Sequence, residues 1–398
     1  MRIVHITLFH RPLDSRIFWR ECRTLAQAGH EVSLIAPDAD RSIQQGVHFY
    51  GLVSGGPPGG IGNRLWQSLR RGWQAVRIAK SLRADVCHLH EVQCIPFGLL
   101  LKFMGIRIIY DIHEDAFPEK ISNARTLGHP LLGYFFAVAA ELLEVLARLF
   151  FDRFVAATPV IGRKFPHNRT VVVQNFPLLD EIHSATKPER KKGAAAPAIY
   201  LGNVFPNRGL GGIVKALGML PASSNLRLTV AGMFTPASYQ QQLAKLPGWS
   251  RVDFVGWRDR NEVADLLSRA GVGLVLFHPR PEHQTAYPNK LFEYMAAGLP
   301  VIASDFPLWR SIIETADCGL LVDPLDPSAI CSALTRLMDN PQQADQLGAN
   351  GVRAIRDRFN WQREAVGLQT TYAALKIGRH SPRRASNGHQ VPPPRQVR

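Results

Sequence analysis

The sequence predicts an α/β protein made of two doubly wound parallel-sheet domains that face each other across a cleft. Three observations carry that expectation. The chain has 398 residues, more than one ordinary hydrophobic core organises, so two domains are the natural division. Apolar strand-like runs alternate with helix-like segments through both halves, the pattern of a parallel sheet covered on both faces. Between the halves, residues 187–197 read KPERKKGAAAP, a charged and then small-residue linker.

In the first half, residues 2–7 (RIVHIT) form the opening strand, and 17–28 a helix stopped by Gly29, which accepts the left-handed cap without strain. Further strands are expected at 31–36, 85–89, 106–110, 153–157 and 170–173, and helices at 65–82 and 95–104. The run 131–151 is the one membrane-like stretch, but Glu141, Glu144 and Arg148 fall on a single helical stripe within it. Such charges at a bilayer centre cost about 2.5 kcal/mol or more each, so the run reads as a buried or interfacial amphipathic helix.

The second half alternates strands at 198–202, 226–231, 251–255, 271–277 and 320–322 with helices at 210–220, 237–245, 260–270 and 327–338. Asp259 and Glu262 form a capping box for the helix at 260–270. Residues 287–305, YPNKLFEYMAAGLPVIASD, are the most informative stretch. Pro288 suits a first helical turn, Gly298 fits a left-handed stop, and Pro300 blocks continuation into the strand 301–303. Asn289, Lys290, Glu293 and Ala297 share one helical face. A helix N-terminus attracts anions and a lysine there strengthens the pull on phosphate, while a carboxylate one turn deeper can accept hydrogen bonds from a ribose diol. The same residues also compose a capped surface helix with a Lys290–Glu293 pair. Residues after about 379 are polar, basic and proline-containing, and read as a disordered tail.

The formal charge of +15 implies an anionic partner: nucleotide, phospholipid surface or nucleic acid. Zinc-finger and helix-turn-helix patterns are missing from the sequence, so nucleic acid is not expected. Five cysteines without CxxC spacing fit buried thiols in a reducing cytoplasm. The first residues lack the long apolar core of a signal peptide. In doubly wound sheets ligands bind beyond the carboxyl ends of strands, and two polar clusters follow strands. One is Asp111-Ile112-His113-Glu114-Asp115, where a histidine can meet a sugar hydroxyl. A metal site there, or at His88 and His90 on one strand face, lacks a second cluster of suitable spacing. The other is the loop Gly202-Asn203-Val204-Phe205-Pro206-Asn207-Arg208-Gly209, which opens a helix and puts Arg208 where a phosphate can approach. GxGxxG, GxxxxGK[ST] and GxSxG patterns are missing, which argues against dinucleotide, P-loop and serine-hydrolase chemistry. Asp38-Ala39-Asp40 matches a DxD metal-diphosphate pattern by letters only.

The stretch PNKLFEYMAAGLPVIASD, with CGLLVDPLDPSAI after it, resembles glycosyltransferase family 4, the retaining nucleotide-sugar transferases of GT-B fold. Weaker elements of the resemblance are DSRIFWRECRTLAQAGHEV, YDIHED, VVVQNFP and the GN…NRGL loop, so that it covers about residues 1–375. It implies two facing Rossmann-like domains, an acceptor-side domain at 1–180 and a donor-binding domain at 198–355 joined by a linker at 181–197. A last helix at 356–378 then crosses back to the first domain, ahead of the tail at 379–398. By resemblance, Glu293 holds the donor ribose, Arg208 the diphosphate, and His113 approaches the donor sugar. Gly202, Asn203 and Asn289 belong to the same donor site. Two positions depart from the family: Thr285 stands where a glutamate is usual eight residues before Glu293, and Asn203 where an arginine is usual. Lys290 is expected to replace the missing phosphate charge, so the catalytic set is His113, Arg208 and Lys290.

The resemblance implies sugar transfer with retention onto a glycan or lipid-linked acceptor, as in polysaccharide or lipopolysaccharide synthesis, with no cofactor and no required divalent metal. The same fold would serve a sugar-nucleotide epimerase, a phosphorylase or a non-catalytic binder. For the acceptor side, residues 63–84 contain no acid and combine Arg64, Arg70, Arg71, Arg77, Lys80 and Arg83 with Trp66 and Trp73. Basic and aromatic residues on one helix suit an anionic membrane surface, placing a cytoplasmic protein at the inner face of the cell membrane. A solvated helix with its tryptophans in the core is the alternative.

Overall fold

A computed structural model describes residues 1–53, 61–113, 130–182 and 196–377. The first domain holds strands β1 (Arg2–Ile6), β2 (Glu31–Pro37), β3 (Ile43–Gln44), β4 (Val47–Leu52), β5 (Val86–Leu89), β6 (Arg107–Ile112), β7 (Arg153–Ala156) and β8 (Thr170–Val172). They form one sheet in the order β3-β4-β2-β1-β5-β6-β7-β8, parallel except for the β3–β4 pair. The second domain holds β9 (Ala198–Leu201), β10 (Leu228–Ala231), β11 (Val252–Gly256), β12 (Val272–Val275), β13 (Val301–Ser304) and β14 (Gly319–Val322), ordered β11-β10-β9-β12-β13-β14 and all parallel. Each sheet winds outward from its first strand in one direction and then in the other. The reversal falls between β1 and β5 in the first sheet and between β9 and β12 in the second, which is where such sheets open a ligand crevice.

Alternation along the strands supplies apolar layers on both faces. Val4 and Ile6 pack with Leu89 and Phe154 on one side of the first sheet, while Ile3 joins Val32, Leu34 and Phe18 on the other. The second sheet is covered likewise, by Phe292, Met295 and Trp309 on one face and Leu210, Ile213 and Ile330 on the other. All five cysteines are unpaired, and four of them are buried.

The chain returns to its first domain at the end. The helix Trp361–Ile377 lies over the first sheet: Trp361 Nε1 donates to Thr24 Oγ1 at 2.7 Å, and the Tyr372 hydroxyl meets His88 Nδ1 at 2.7 Å. This helix starts at Trp361 rather than 356, because Pro341–Asp357 is a separate helix of the second domain that runs past 355. A short helix, Leu179–Ile182, occupies the start of the expected linker; residues 183–195 of the linker, the tail at 379–398, and Glu114 and Asp115 lie outside the described residues.

Candidate active site

The donor-side loop sits at the switch point of the second sheet. Gly202 follows β9 with φ +91°, and Gly209 precedes the helix Leu210–Met219 with φ +80°. A Cβ at Gly209 would lie 1.6 Å from the Leu276 carbonyl oxygen, so only glycine lets the loop run this close to the end of β12. Neither the Leu210–Met219 helix nor the Asn289–Ala296 helix has a side-chain N-cap. Both leave N-terminal N–H groups free for an anion.

Arg208 and Lys290 converge on Phe277. The Arg208 guanidinium lies 5.0 Å and the Lys290 ammonium 5.3 Å from the centre of that ring. Lys290 is 7% exposed and its Nζ makes no hydrogen bond. Its Nζ stands 3.8 Å from the Tyr200 ring centre, and a Cβ at Gly202 would come within 4.0 Å of it. Burial, then the charge of Arg208, push the Lys290 pKa well below the ordinary lysine value, with Glu293 opposing. A buried cation with aromatic faces against it, no hydrogen bond among the described residues and a second cation beside it is a site built for an anion.

Glu293 lies one turn deeper and half-buried. Burial raises its pKa, against the pull of Arg20, Lys290 and Arg260. Arg20 belongs to the first domain, so Glu293 sits where the two domains meet. Asn289 is at the same seam: its side-chain oxygen accepts from Asn175 Nδ2 at 3.1 Å. Asn203 is exposed, and its carbonyl accepts from the Tyr200 hydroxyl at 3.4 Å. Thr285 is exposed and donates to the Pro281 carbonyl at 3.2 Å, while nearby Glu282 pairs with Arg280 at 3.1 Å.

On the first domain, His113 follows β6 with its side chain 17% exposed, and its Nε2 is 2.6 Å from Asp111 Oδ2. Asp111 is fully buried and takes two bonds from Arg16, at 2.9 and 2.7 Å. Burial pushes the Asp111 carboxyl up, but Arg16, His113 and His90 together outweigh it and hold the carboxyl well below its usual range. Asp111 therefore stays ionised and fixes the imidazole of His113. Glu91, after β5, ties down the loop after β1 by accepting from the Thr7 hydroxyl and from the backbone N–H groups of Leu8 and Phe9 at 3.0 and 3.2 Å.

Among the residues expected at the site, the structure brings Gly202, Arg208 and Lys290 together and sets Asn289 and Glu293 on the adjoining helical turns. His113 stands at the carboxyl edge of the other sheet. Sequence reading missed Tyr200 and Phe277, whose rings hold the two cations, and Arg20 and Arg260, which face Glu293. Arg16 and Arg20 lie inside DSRIFWREC, a stretch whose density of charge in an apolar helix was the available signal.

Two facing parallel-sheet domains with a cationic crevice at the second switch point define a glycosyltransferase of GT-B fold. Known proteins agree. Residues 183–353 match the model for glycosyl transferases group 1, and residues 15–176 the model for Glycosyltransferase Family 4. The chain belongs to glycosyltransferase family 4. It is 22% identical over 75% of its length to an MMP alpha-(1->4)-mannosyltransferase of Mycolicibacterium hassiacum, covering 73% of that protein. It is 24% identical to a glycogen synthase of Mycobacterium tuberculosis over 90% of both chains. Among solved structures, sucrose-phosphate synthase of Thermosynechococcus elongatus superposes with a TM-score of 0.77 at 18% identity, covering 95% of this chain and 99% of the other. WaaG, a glycosyltransferase involved in lipopolysaccharide biosynthesis, gives 0.68 at 18% identity over 95% and 99%. The enzyme is of the hexosyltransferase type.

Proposed function

We propose that this enzyme moves a hexose, with retention, from a nucleoside-diphosphate sugar to a lipid-linked or lipopolysaccharide-type glycan at the inner membrane face. The observation that carries the donor reading is the unpartnered Lys290 ammonium beneath Gly202, beside Arg208. Breaking the sugar–phosphate bond leaves charge on the diphosphate. Arg208, Lys290 and two uncapped helix N-termini are placed to stabilise it, each such preorganised donor being worth about 3 kcal/mol in the transition state. In a same-face route the leaving phosphate oxygen takes the acceptor proton while the acceptor oxygen bonds to the anomeric carbon. Because the protein supplies two cations, no divalent metal is required at the diphosphate, and activity survives removal of free divalent ions by a chelator. Anabaena HepE, which has been solved with UDP-glucose, shares the fold with a TM-score of 0.69.

The acceptor reading rests on the outer face of the first domain. Trp66 and Trp73 are 60% and 53% exposed, not part of the core. With Leu69, Arg70 and Arg77 they line a groove of about 550 Å³ on the helix Ile61–Ser81. Arg71 is the exception among the basic residues: it is buried and donates to the Leu8 carbonyl at 2.7 Å, so it is not available to lipid. The side chain of Arg64 lies outside the described residues. The helix Pro130–Phe150 adds to this reading. Its Glu144 is buried and its Glu141 pairs with Arg148 at 2.6 Å, while Leu131, Tyr134, Phe135, Leu142 and Leu149 are exposed. A helix with one acid buried, the other paired and its apolar side outward fits an interface, and among the described residues no helix is long and apolar enough to cross a membrane.

A thermal-shift panel of UDP-, GDP- and ADP-sugars tests the donor reading, with one named donor expected to stabilise the protein. Liposome flotation tests the other: binding to anionic vesicles, lost when Trp66 and Trp73 are replaced by glutamate, is the expected result. Wild-type protein left in the soluble fraction overturns the membrane reading.

A further inference from the structure

The core of the first domain contains a cage of ligand-type side chains that the sugar chemistry does not use. His5 on β1 pairs in register with His88 on β5, and His90 follows two residues later on the same face. Glu21, from the helical segment Ile17–Cys22, closes over them. None of the four is more than 2% exposed. One ligand atom from each lies within 4.8 Å of all the others.

The bonding in this cage is incomplete. Neither Glu21 oxygen has a hydrogen-bond partner, and His5 Nε2 and His88 Nε2 have none either. Glu21 Oε2 stands 3.9 Å from His5 Nδ1 and 3.9 Å from His88 Nδ1, too far for hydrogen bonds. His5 Nδ1 and His90 Nε2 are 2.9 Å apart. The Glu21–His5 and His5–His90 separations, 3.9 and 2.9 Å, bracket the edge of about 3.3 Å in a regular tetrahedron of zinc ligands with bonds near 2.05 Å. His88 Nδ1 is held by the Tyr372 hydroxyl, which leaves its unpartnered Nε2 as the ligand atom. The outer partners also fit. His90 turns Nδ1 to Asp111 Oδ2 at 3.2 Å, the carboxylate–histidine arrangement that points the other ring nitrogen at an ion.

Charge leads to the same place. Arg16 gives two hydrogen bonds to Asp111 and only approaches Glu21 Oε1, at 3.2 Å from Nε. Two buried carboxylates thus share one guanidinium, and Asp111 takes both of the hydrogen bonds it gives to them. We propose that His5, His88, His90 and Glu21 hold a structural divalent ion, for which a closed set of three imidazoles and one carboxylate selects zinc. The ion pins β1, β5 and the Ile17–Cys22 segment together, and through Tyr372 on His88 it reaches the returning helix. It adjoins His113 through Asp111 Oδ2, which His90 and His113 both meet, at 3.2 and 2.6 Å, but the proposal does not depend on the sugar reading.

Elemental analysis of full-length protein, prepared without a metal-affinity column, is expected to find close to one zinc per chain. Glu21→Gln and His88→Gln are expected to lose it. Should either variant fail to fold, wild-type protein grown with cobalt provides the second measurement: intense visible bands of tetrahedral cobalt are expected. Folded, metal-free wild-type protein overturns the proposal, as does zinc retained in both variants. A protonated-carboxyl infrared band that vanishes in Glu21→Gln would show that a proton, not a metal, neutralises Glu21, and overturns it as well.

Discussion

The Lys290 ammonium lies 3.8 Å from the centre of the Tyr200 ring and has no hydrogen bond. The aromatic face offsets part of the cost of burying the charge, and Arg208 adds to that cost. The apo enzyme thus stores an unfavourable charge that the donor diphosphate relieves. Lys290→Met is expected to lower kcat/KM about a hundredfold to a thousandfold, as loss of one preorganised anion-binding donor does. It should also leave the melting temperature equal to or above that of the wild type, because a buried charge is gone. Steady-state kinetics and calorimetry check both. A variant that is inactive because it is unfolded, or one that binds donor with an unchanged dissociation constant, contradicts this role.

The same residue makes donor binding depend on pH. In the apo protein its pKa is well below the ordinary lysine value, so between the two values the unfolded chain binds more protons than the folded one. Stability therefore rises with pH through that window, the cost of the charged form being full below the folded pKa and gone above the unfolded one. A bound diphosphate raises the pKa again, so binding takes up a proton and affinity falls as pH rises. Titration calorimetry in buffers of different ionisation enthalpy is expected to show proton uptake in the wild type and less in Lys290→Met. Equal uptake in both proteins assigns the proton elsewhere.

Gly209 carries the third prediction. Its φ of +80° and the 1.6 Å separation that a Cβ would have from the Leu276 carbonyl oxygen leave no room for a side chain. The left-handed backbone alone costs an alanine about 1–2 kcal/mol, and the clash must displace the end of β12 and, with it, Phe277. Gly209→Ala is expected to lower thermal stability and abolish donor binding together. By contrast Gly256→Ala, at φ +74° with no atom within 4 Å of the added Cβ, should cost strain alone and leave donor binding intact. Normal donor affinity in Gly209→Ala rules out the close-approach account.

Much of this was legible in sequence where local chemistry and tertiary structure agree. The capping box of Asp259 and Glu262 forms as expected, and Gly29 and Gly298 take the left-handed stops at φ +80° and +67°. The helix Pro341–Asp357 escaped because Gly348 and Gly351 weaken a helical reading. The structure shows their purpose: a Cβ at Gly348 would lie 2.1 Å from the Gly298 carbonyl oxygen, so the glycines let this helix pack closely against its neighbour. Strands β3 and β4 were missed because the run Ile43–Leu52 is half polar and lies at the sheet edge. Residues 17–22 begin as a π-helix, a wider turn that periodicity of 3.6 does not anticipate. At the site, Lys290 and Arg208 were readable from their place at helix starts. Tyr200 and Phe277 were not, because an aromatic residue ending a strand looks like any core residue until the fold sets a cation against it. The cage of His5, Glu21, His88 and His90 was hidden for a related reason: its members are brought together by strand register, not by spacing in the chain.

The last prediction concerns the joint between the domains. Trp361 is 2% exposed; its indole N–H donates to Thr24 Oγ1 at 2.7 Å, and its backbone N–H donates to the Pro177 carbonyl at 2.8 Å. It therefore fixes the start of the returning helix to the helix that follows Cys22. Trp361→Phe keeps the backbone bond, removes the indole donor and leaves a small void, for an expected loss of about 1–3 kcal/mol. Thr24→Val removes the acceptor instead and strands the buried indole N–H, with a loss of similar size. Since both changes delete one bond, the double variant should lose less than the two singles added together, by about 0.5 kcal/mol or more. Denaturant unfolding of the four proteins measures this. Strict additivity means that the bond does not couple the two helices, and that the returning helix is held by apolar packing alone.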